Sequence, residues 1–399
     1  MVTWLQMNGM KDIRFSRKIY AVLIIILLPC FVSAQSVKKK FSLKDSLDRA
    51  FDLSDYIINA NGFIPVPIFI TEPALGGFGG GIVPVFIKKR PPYIDSAGGK
   101  IKYTPVAPDI TGGAALYTLN DTWLTAVFRR GTFVKSRIKY AIGTGYANVN
   151  MSYFRTVGQL GEKEFAFNLK TIPVFLQAIK RIGTSYWYAG LKYLFLKTDA
   201  NYKGDRLLPP DFVKPKEYSS IVSQLGAVVE LDSRDNTFTP DNGIKFHVDG
   251  IRSDNIFGSD YEYWRLNYYM YAYKMLGKKL VGGIRIDGQQ SFEDPPFYML
   301  PYIEMRGIPS NRYQGKADIL TEAEFRWDFV RRWSIMLYSG IGKAFDKWSD
   351  FGNAELVYSY GTGFRYLIAR KFKLRMGIDI AKGPEDFTYY IVFGSSWLK

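Results

Sequence analysis

The sequence predicts an all-β protein: a transmembrane, antiparallel β-barrel of about 16 strands with a short helix at its N-terminal side. Apolar and polar residues alternate with a period of two from about residue 62 onward, as in strands with one wet and one apolar face. Aromatic residues make up 16% of the chain, which is high for a soluble enzyme and suits strands whose rings lie at membrane interfaces. After the first 35 residues no stretch is long and apolar enough for a membrane-spanning helix, so strands would make any crossing.

Residues 1–34 have the features of a secretory signal peptide. A basic region precedes the apolar stretch 21–31, and Ala34 closes a small-residue cleavage site. The single cysteine, Cys30, lies inside this segment. A cleaved chain would therefore contain no disulfide and no cysteine-based metal site.

Residues 35–61 are predicted to form a linker with one short amphipathic helix. Leu43, Leu47 and Phe51 are spaced as on one face of a helix. The segment is too short to form a domain, and we expect it to brace the mouth of the barrel, which is predicted over 62–399.

Charged residues alternate with apolar residues inside the predicted strands. Arg375 and Asp379 alternate with the apolar residues of 374–380, and Glu322 and Glu324 do the same in 319–327. In a membrane barrel with a wet interior the apolar row faces outward and the charged row faces the lumen. A soluble sandwich would reverse this, and alternation alone does not separate the two.

The connections also favour a barrel. Sixteen candidate strands begin near residues 76, 111, 122, 136, 150, 163, 184, 218, 243, 260, 278, 318, 332, 356, 371 and 386. Tight breaks at 119–121, 181–183, 276–278 and 369–371 alternate with long ones near 89–110, 199–217, 291–317 and 345–355. Short turns at one end and long loops at the other are typical of outer-membrane barrels.

The charge balance excludes few functions. The formal net charge is +16, which fits solvated loops and a charged lumen, with contact to anionic lipid headgroups as an alternative. No basic patch accompanies a known nucleic-acid-binding module, so nucleic acid is not an expected partner.

His247 is the only histidine, which excludes a histidine-based triad or zinc site. We expect no cofactor and no metal.

An irregular motif lies between the predicted strands at 218 and 243. It contains Asp232, Arg234 and Asp235, followed by Pro240 and Gly243. The arginine is placed to bridge the two aspartates, while the proline and the glycine set a turn.

A second irregular stretch, 302–315, is polar and carries several Gly and Pro breakers. A long insert of this kind is either a disordered surface loop or a functional loop packed against the protein. We expect it to fold back into the lumen with Arg306 as its anchor.

These stretches resemble the BamA/TamA superfamily of outer-membrane assembly and secretion barrels, the bacterial surface antigen family. Residues 232–243 resemble its periplasmic turn, and Met305-Arg306-Gly307-Ile308 resembles its hydrophobic-Arg-Gly-aromatic motif, with Ile308 where an aromatic residue is usual. The strand count places Arg306 and Gly307 in extracellular loop six, where the family has this motif. The last strand, 387–397, resembles the C-terminal signal that barrel-assembly machinery reads, with Phe393 and Trp397 as its aromatic residues, although two residues follow.

The resemblance also implies partners for the loop arginine. Glu324 matches the acidic residue of the lumen wall, and Glu322 is a second choice. Many members have Asp where this chain has Gly340, in the same segment as Gly342, so a second partner would be missing or replaced. A carboxylate is needed because an unpaired buried guanidinium is strongly destabilising.

Family assembly factors carry POTRA domains before the barrel, and 36–60 is too short for one, so we expect a stand-alone barrel. The predicted first strand holds five glycines within 76–81, and glycine weakens strand pairing. They would either create a seam between strands 1 and 16 that opens toward the bilayer, or allow a tight bend or close approach of the N-terminal helix.

The resemblance implies a non-enzymatic barrel of the Gram-negative outer membrane that aids assembly, insertion or translocation of proteins or lipids. Its partners would be outer-membrane lipids and a POTRA-bearing assembly barrel or nascent outer-membrane proteins. A passive or structural channel, with a preference for anions, is the alternative. The least favoured hypothesis is an outer-membrane enzyme that uses the carboxylates at 322–324 or 293–294.

Overall fold

The computed structural model describes residues 42–59, 63–97, 100–104, 106–156, 162–204, 217–385 and 387–397. The predicted signal peptide, with Cys30, lies outside these residues. No helix in the described ranges is long and apolar enough to cross a membrane.

The protein is a transmembrane β-barrel built from one antiparallel sheet of 16 strands. In chain order the strands are β1 (Phe63–Ile70), β2 (Gly79–Lys88), β3 (Tyr93–Ala97), β4 (Lys100–Thr104), β5 (Asp109–Thr118), β6 (Trp123–Phe133), β7 (Ile138–Thr156), β8 (Glu162–Arg181), β9 (Trp187–Tyr202), β10 (Ser219–Asp232), β11 (Gly243–Ser253), β12 (Tyr263–Gly277), β13 (Leu280–Phe292), β14 (Ala317–Trp327), β15 (Trp333–Phe345), β16 (Val357–Ala369), β17 (Leu374–Lys382) and β18 (Phe387–Phe393). β3 and β4 form a separate hairpin, and each other strand pairs with the next one along the chain.

Helical structure is sparse among the described residues. One α-helix, α1, spans Ser54–Asn59. Single 3-10 turns lie at Pro73–Leu75, Asn255–Phe257, Phe297–Met299, Trp348–Asp350 and Arg370–Phe372.

The barrel is nearly closed between β1 and β18. Within the described residues no ladder pairs these two strands. The Thr71 hydroxyl nevertheless donates a hydrogen bond to the Tyr389 carbonyl oxygen, so their ends are adjacent. We call this place the β1–β18 boundary. The end of the barrel at which β1 begins and β18 finishes is called the terminal end, and the opposite end is called the loop end.

The predicted strand polarity is confirmed. In β14 the side chains of Glu322, Glu324 and Arg326 are buried, whereas Phe325 and Trp327 are exposed. β17 alternates in the same way, with its charged residues inside. Exposed apolar rows and buried charged rows are what a barrel shows when lipid lies outside and polar groups fill the interior.

The total of sixteen strands is right, but it combines two compensating errors. β1 was missed because Pro65 and Pro67 argue against a strand, yet β1 is a boundary strand where proline is tolerated. The candidates at 136 and 150 are one strand, β7, which has 19 residues. A membrane crossing needs only about 9–11 residues, so the sequence of a 19-residue strand is easily predicted as two strands.

Because of these two errors, the connections between β1 and β7 were predicted at the wrong end of the barrel. The tight turn 119–122 lies at the loop end, and the long connection 89–108, which holds the β3–β4 hairpin, lies at the terminal end. The glycines also do not form the first strand. Gly79 and Gly81 lie in β2, where an added Cβ would come within 2.5 Å and 2.4 Å of atoms in β5. These two glycines therefore permit close approach of β2 and β5.

Within 42–59, the described part of the predicted linker, the N-terminal helix is present only as the six residues of α1. Before it, the chain forms a turn closed by a bridge between Lys44 and Phe51, and Leu47 stays exposed. This turn forms in place of a longer helix because three of its aspartates pair with Arg332 of the β14–β15 turn. Its Nη2, Nε and Nη1 atoms lie 2.5, 2.7 and 2.7 Å from carboxylate oxygens of Asp45, Asp48 and Asp52.

The last strand is shorter than predicted. β18 stops at Phe393, whose side chain continues the outward row that begins at Phe387. Gly394 then adopts a φ of +80°, a conformation that favours glycine, and the chain leaves the wall. Trp397 is consequently buried at 2% exposure rather than part of the strand.

Candidate functional site

Loop six, the connection 293–316 between β13 and β14, crosses the lumen at the loop end. Its first part packs against the far wall, where Phe297 joins an aromatic cluster with Tyr153 and Phe167. The Phe297 N–H donates to Glu217 Oε1 at 3.0 Å. This contact fixes one side of the loop to the β7–β10 wall.

The second part of loop six packs against the opposite wall. Ile303, Met305 and Ile308 are almost completely buried and cluster with Leu320 of β14 and Val357 of β16. The expectation that this stretch folds into the lumen agrees with this burial.

Arg306 lies at the centre of the packed loop. Its Nη1 is 2.9 Å from Glu324 Oε2 and 3.1 Å from Asp379 Oδ2, and its Nε is 3.5 Å from Glu322 Oε1. The guanidinium carbon stands 3.5 Å from the centroid of the Tyr338 ring, which adds a cation–π contact. Burial would lower the pKa of Arg306, but the surrounding carboxylates raise it, so the group stays charged.

The carboxylates around Arg306 are shared with two further buried arginines. Asp379 binds Arg365 through both oxygens, at 2.6 and 2.8 Å. Glu322 binds Arg285 at 2.7 Å. Two of the three acids that face the loop arginine, Asp379 and Glu322, are therefore each held by a wall arginine as well, and the third, Glu324, pairs with Arg306 itself.

Gly340 and Gly342 contribute space to this site. A Cβ at Gly340 would lie 2.6 Å from Met305 Sδ and 2.6 Å from Glu322 Cγ, and one at Gly342 would lie 3.3 Å from Ile303. The acidic partner expected at position 340 is replaced by Asp379, two strands away on β17. We call the group Arg306, Glu322, Glu324 and Asp379 the arginine seat.

Gly307 is required by both conformation and packing. Its φ is +85°, and a Cβ there would lie 3.1 Å from Ala381 Cβ and from the Gly383 nitrogen. Its N–H donates to Tyr390 Oη at 2.9 Å. Ile308 packs against Gly383 next to it, so the aliphatic residue fills this position of the motif.

The turn motif at 232–243 lies at the terminal end, far along the chain from the seat. Arg234 binds Asp232 through two hydrogen bonds of 2.9 Å. It does not bridge to Asp235, because that carboxylate accepts the backbone N–H of Asp241 at 2.9 Å. Gly243 has a φ of +111°. The Pro240 carbonyl accepts a hydrogen bond from Arg326 of β14, which connects the turn to the lumen wall.

The C-terminal residues enter the seat, which sequence reasoning missed. Ser396 Oγ lies 3.1 Å from Arg306 Nη1, and Trp397 Nε1 donates to Glu322 Oε2 at 3.1 Å. The Trp397 ring packs against Tyr271 and Tyr273 of β12. The glycine at 394 was the available signal, because it interrupts the aromatic alternation just before these residues.

Loop six also touches both sides of the β1–β18 boundary. Beside the Gly307–Tyr390 bond on β18, the Ser310 N–H donates to Glu72 Oε1 at 2.9 Å, in the connection that follows β1. Arg312 pairs with Glu385, beyond β17, at 3.1 Å. The loop therefore spans the boundary from inside the lumen.

No protein-family model and no curated protein matches the chain. Solved structures do match. BamA from Haemophilus ducreyi lacking POTRA domains 1–3 aligns with a TM-score of 0.53 at 15% identity, over 82% of this chain and 69% of that one. CdiB from Escherichia coli aligns with a TM-score of 0.55 at 8% identity, over 82% of this chain and 61% of that one. The fold is that of the BamA and CdiB barrels.

CdiB from Acinetobacter baumannii gives a TM-score of 0.52 at 10% identity, over 79% of this chain and 56% of that one. The chain thus spans less than two thirds of the CdiB chains that it matches. Within the BamA-type fold of this protein, loop six connects the eleventh and twelfth strands of the wall. This agrees with the position predicted from the strand count.

Proposed function

We propose that this protein is a non-enzymatic barrel of the Gram-negative outer membrane that aids the assembly, insertion or translocation of other proteins there. The observation that carries the proposal is the arginine seat, in which loop six is held across the lumen by Arg306. The likeness of the fold to the BamA and CdiB barrels supports the class of activity.

The proposed working part is the β1–β18 boundary. Both strands lack a ladder partner there within the described residues, and an unpaired strand edge can accept an incoming strand. Loop six is hydrogen-bonded to Tyr390 on one side and Glu72 on the other. The arginine seat would hold both edges in register until a client strand pairs with one of them.

The proposal assigns no catalytic role to the carboxylates. Glu322 binds Arg285 of the wall and Glu324 binds Arg306 of the seat, so both carboxylates are engaged in ion pairs. Their arrangement serves to bind a guanidinium, which is a positioning task.

The first test is to purify the protein from its native membranes in mild detergent and to identify what accompanies it. A POTRA-bearing assembly barrel or nascent outer-membrane proteins in fixed proportion would support the proposal. Purification alone, together with single-channel conductance and anion preference, would replace it with the channel alternative.

A second test locks the boundary. Thr71→Cys and Tyr389→Cys would be joined by a short thiol-specific linker that a reductant reverses. Linkage should lower the level of outer-membrane proteins in the native host, and reduction should restore it. The control pair, Ala114→Cys with Ala126→Cys, joins register partners of β5 and β6 and should change nothing. Normal levels with a locked boundary would contradict the proposed mechanism.

A further inference from the structure

A cavity of about 620 Å³ opens at the terminal end of the barrel, away from the arginine seat. It lies between α1, the β16–β17 turn and the ends of β2, β5 and β6. This volume is in the range of small-molecule sites, about 300–1,000 Å³.

The cavity exists because the wall is incomplete at this corner. β18 ends at Phe393, opposite Met376, so the first two residues of β17 extend past it. β1 begins at Phe63, opposite Phe86, so Ile87 and Lys88 of β2 extend past β1. The helix α1 covers the gap from the terminal end, where Ser54 Oγ accepts the N–H of Lys371 at 3.1 Å.

The lining has an apolar part and a cationic part. Ile57, Phe86 and Phe372 supply apolar surface, and Phe86 and Ile58 are each 44% exposed. Lys88, Lys89 and Arg129 supply positive charge. An apolar wall beside grouped cations fits an anionic amphiphile.

The register places the cations at the edge of the outward apolar belt. Phe86, Thr111 and Arg129 lie opposite one another across β2, β5 and β6, and all three are exposed on the outer face. Val127, one outward position before Arg129, is 53% exposed. The change from apolar to cationic side chains marks the level where lipid chains end and headgroups begin.

The positive charge is not neutralised within the described residues. Neither Lys88 nor Lys89 has an acidic partner there, although the Lys89 ammonium lies 5.3 Å from the Phe372 ring centroid. Asp109 also lines the cavity, but it pairs with Arg90 and accepts the Thr132 N–H at 3.0 Å. An excess of cations therefore faces the cavity.

We propose that this cavity binds one anionic phospholipid of the leaflet at the terminal end. Its phosphate would contact Lys88, Lys89 and Arg129, and the start of an acyl chain would lie against Phe86 and α1. The site lies at the terminal end of the β1–β18 boundary but uses no residue of loop six or of the arginine seat, so lipid binding can be measured whether or not the proposed function holds.

The test measures lipid binding to the full chain, purified in detergent, by native mass spectrometry. Short-chain phosphatidylglycerol should bind as one molecule per chain. Phosphatidylcholine with the same chains should bind at least about tenfold more weakly, because it has no net charge to match the cations. Equal binding of both lipids would overturn the proposal.

Variants localise the site. Lys88→Gln with Lys89→Gln should weaken binding of phosphatidylglycerol by about tenfold or more, given the contribution of each surface lysine to anionic-lipid binding. The control, Lys135→Gln with Lys278→Gln, removes two exposed lysines from other turns at the same end and should bind like the wild type. Wild-type binding by the first variant would overturn the proposal, and heat-modifiable mobility checks that both variants are folded.

Two further measurements distinguish a lipid from a free anion. Glycerol phosphate, the headgroup without chains, should bind far more weakly than the lipid. Ile58→Ser should weaken lipid binding but leave the weak binding of glycerol phosphate unchanged. Equal affinity for lipid and glycerol phosphate would show a simple anion site and refute the lipid assignment.

Discussion

Arg306 of loop six and Asp379 of β17 form an ion pair of 3.1 Å although 73 residues separate them. The pair sits in the interior of the barrel, and Asp379 simultaneously binds Arg365. Through this carboxylate, loop six is connected to the two strands that precede β18. We therefore expect a change at this one loop residue to affect the stability of the whole barrel.

Arg306→Ala should destabilise the barrel without preventing its insertion. Removing one partner of a buried ion pair costs about 3–5 kcal/mol, because the remaining charges are left without compensation. The temperature at which the barrel loses its compact mobility on electrophoresis should fall, and function should fall with it. Arg331→Ala, an exposed arginine in the β14–β15 turn, is the control. Wild-type stability and function of Arg306→Ala would refute the anchor.

Gly307→Ala should be more harmful than an alanine at another left-handed glycine. Any L-residue at such a φ costs about 1–2 kcal/mol, and here the new Cβ also meets Ala381 and Gly383 at 3.1 Å. Gly258→Ala is the matched control, since its φ is +80° and nothing lies within 4 Å of its Cβ position. Thermal unfolding of the two variants separates the packing cost from the backbone cost. Equal losses would mean that packing at Gly307 is unimportant.

Trp397→Ala should destabilise the arginine seat by removing its contacts with the C-terminal residues. Loss of a buried tryptophan costs about 3–5 kcal/mol, and Glu322 would also lose the 3.1 Å hydrogen bond from the indole. Trp397→Phe should have a smaller effect because part of the ring packing remains. Trp327→Ala, at an outward position that is 52% exposed, serves as the control for thermal unfolding in detergent. Equal losses of thermal stability in Trp397→Ala and Trp327→Ala would contradict the burial of Trp397 against the arginine seat.

The N-terminal turn should detach in acid. The bond from Arg370 to Asp45, and that from Arg332 to Asp48, lower the pKa of each carboxyl below its ordinary value. A lowered pKa stabilises the folded form at neutral pH, and this stabilisation is lost as pH falls below about 4, where the unfolded carboxyls take up protons. Hydrogen exchange, corrected for its intrinsic pH dependence, should show 42–53 protected at pH 7 and open in acid.

Arg332→Ala should open the same segment at pH 7, because all three of its aspartates lose their shared cation. The neighbouring variant Arg331→Ala should keep the protection. Protection of 42–53 in Arg332→Ala at neutral pH would show that the ion pairs do not hold the segment.

Local sequence patterns were sufficient to predict the strands of the barrel wall and part of the arginine seat. The alternation of Glu322 and Glu324 with apolar neighbours determines which side chains face the lumen, because successive side chains in a strand point to opposite faces. The motif around Arg306 and the strand count predicted the loop, and the resemblance to the family implied Glu324 as its first carboxylate. The sequence also predicted the membrane class, because the alternation, the aromatic content, the signal-like N-terminal segment and the alternating loop lengths together favour a barrel over a soluble sandwich.

Only the tertiary structure decided which distant groups complete the seat. Asp379, Arg365 and Trp397 reach Arg306 or its carboxylates because the barrel curves β16, β17 and the C-terminus back toward β14. No local pattern encodes that closure. β1 was hidden for a related reason, since its prolines are acceptable only at a boundary strand, and a strand's neighbours are a property of the assembled sheet.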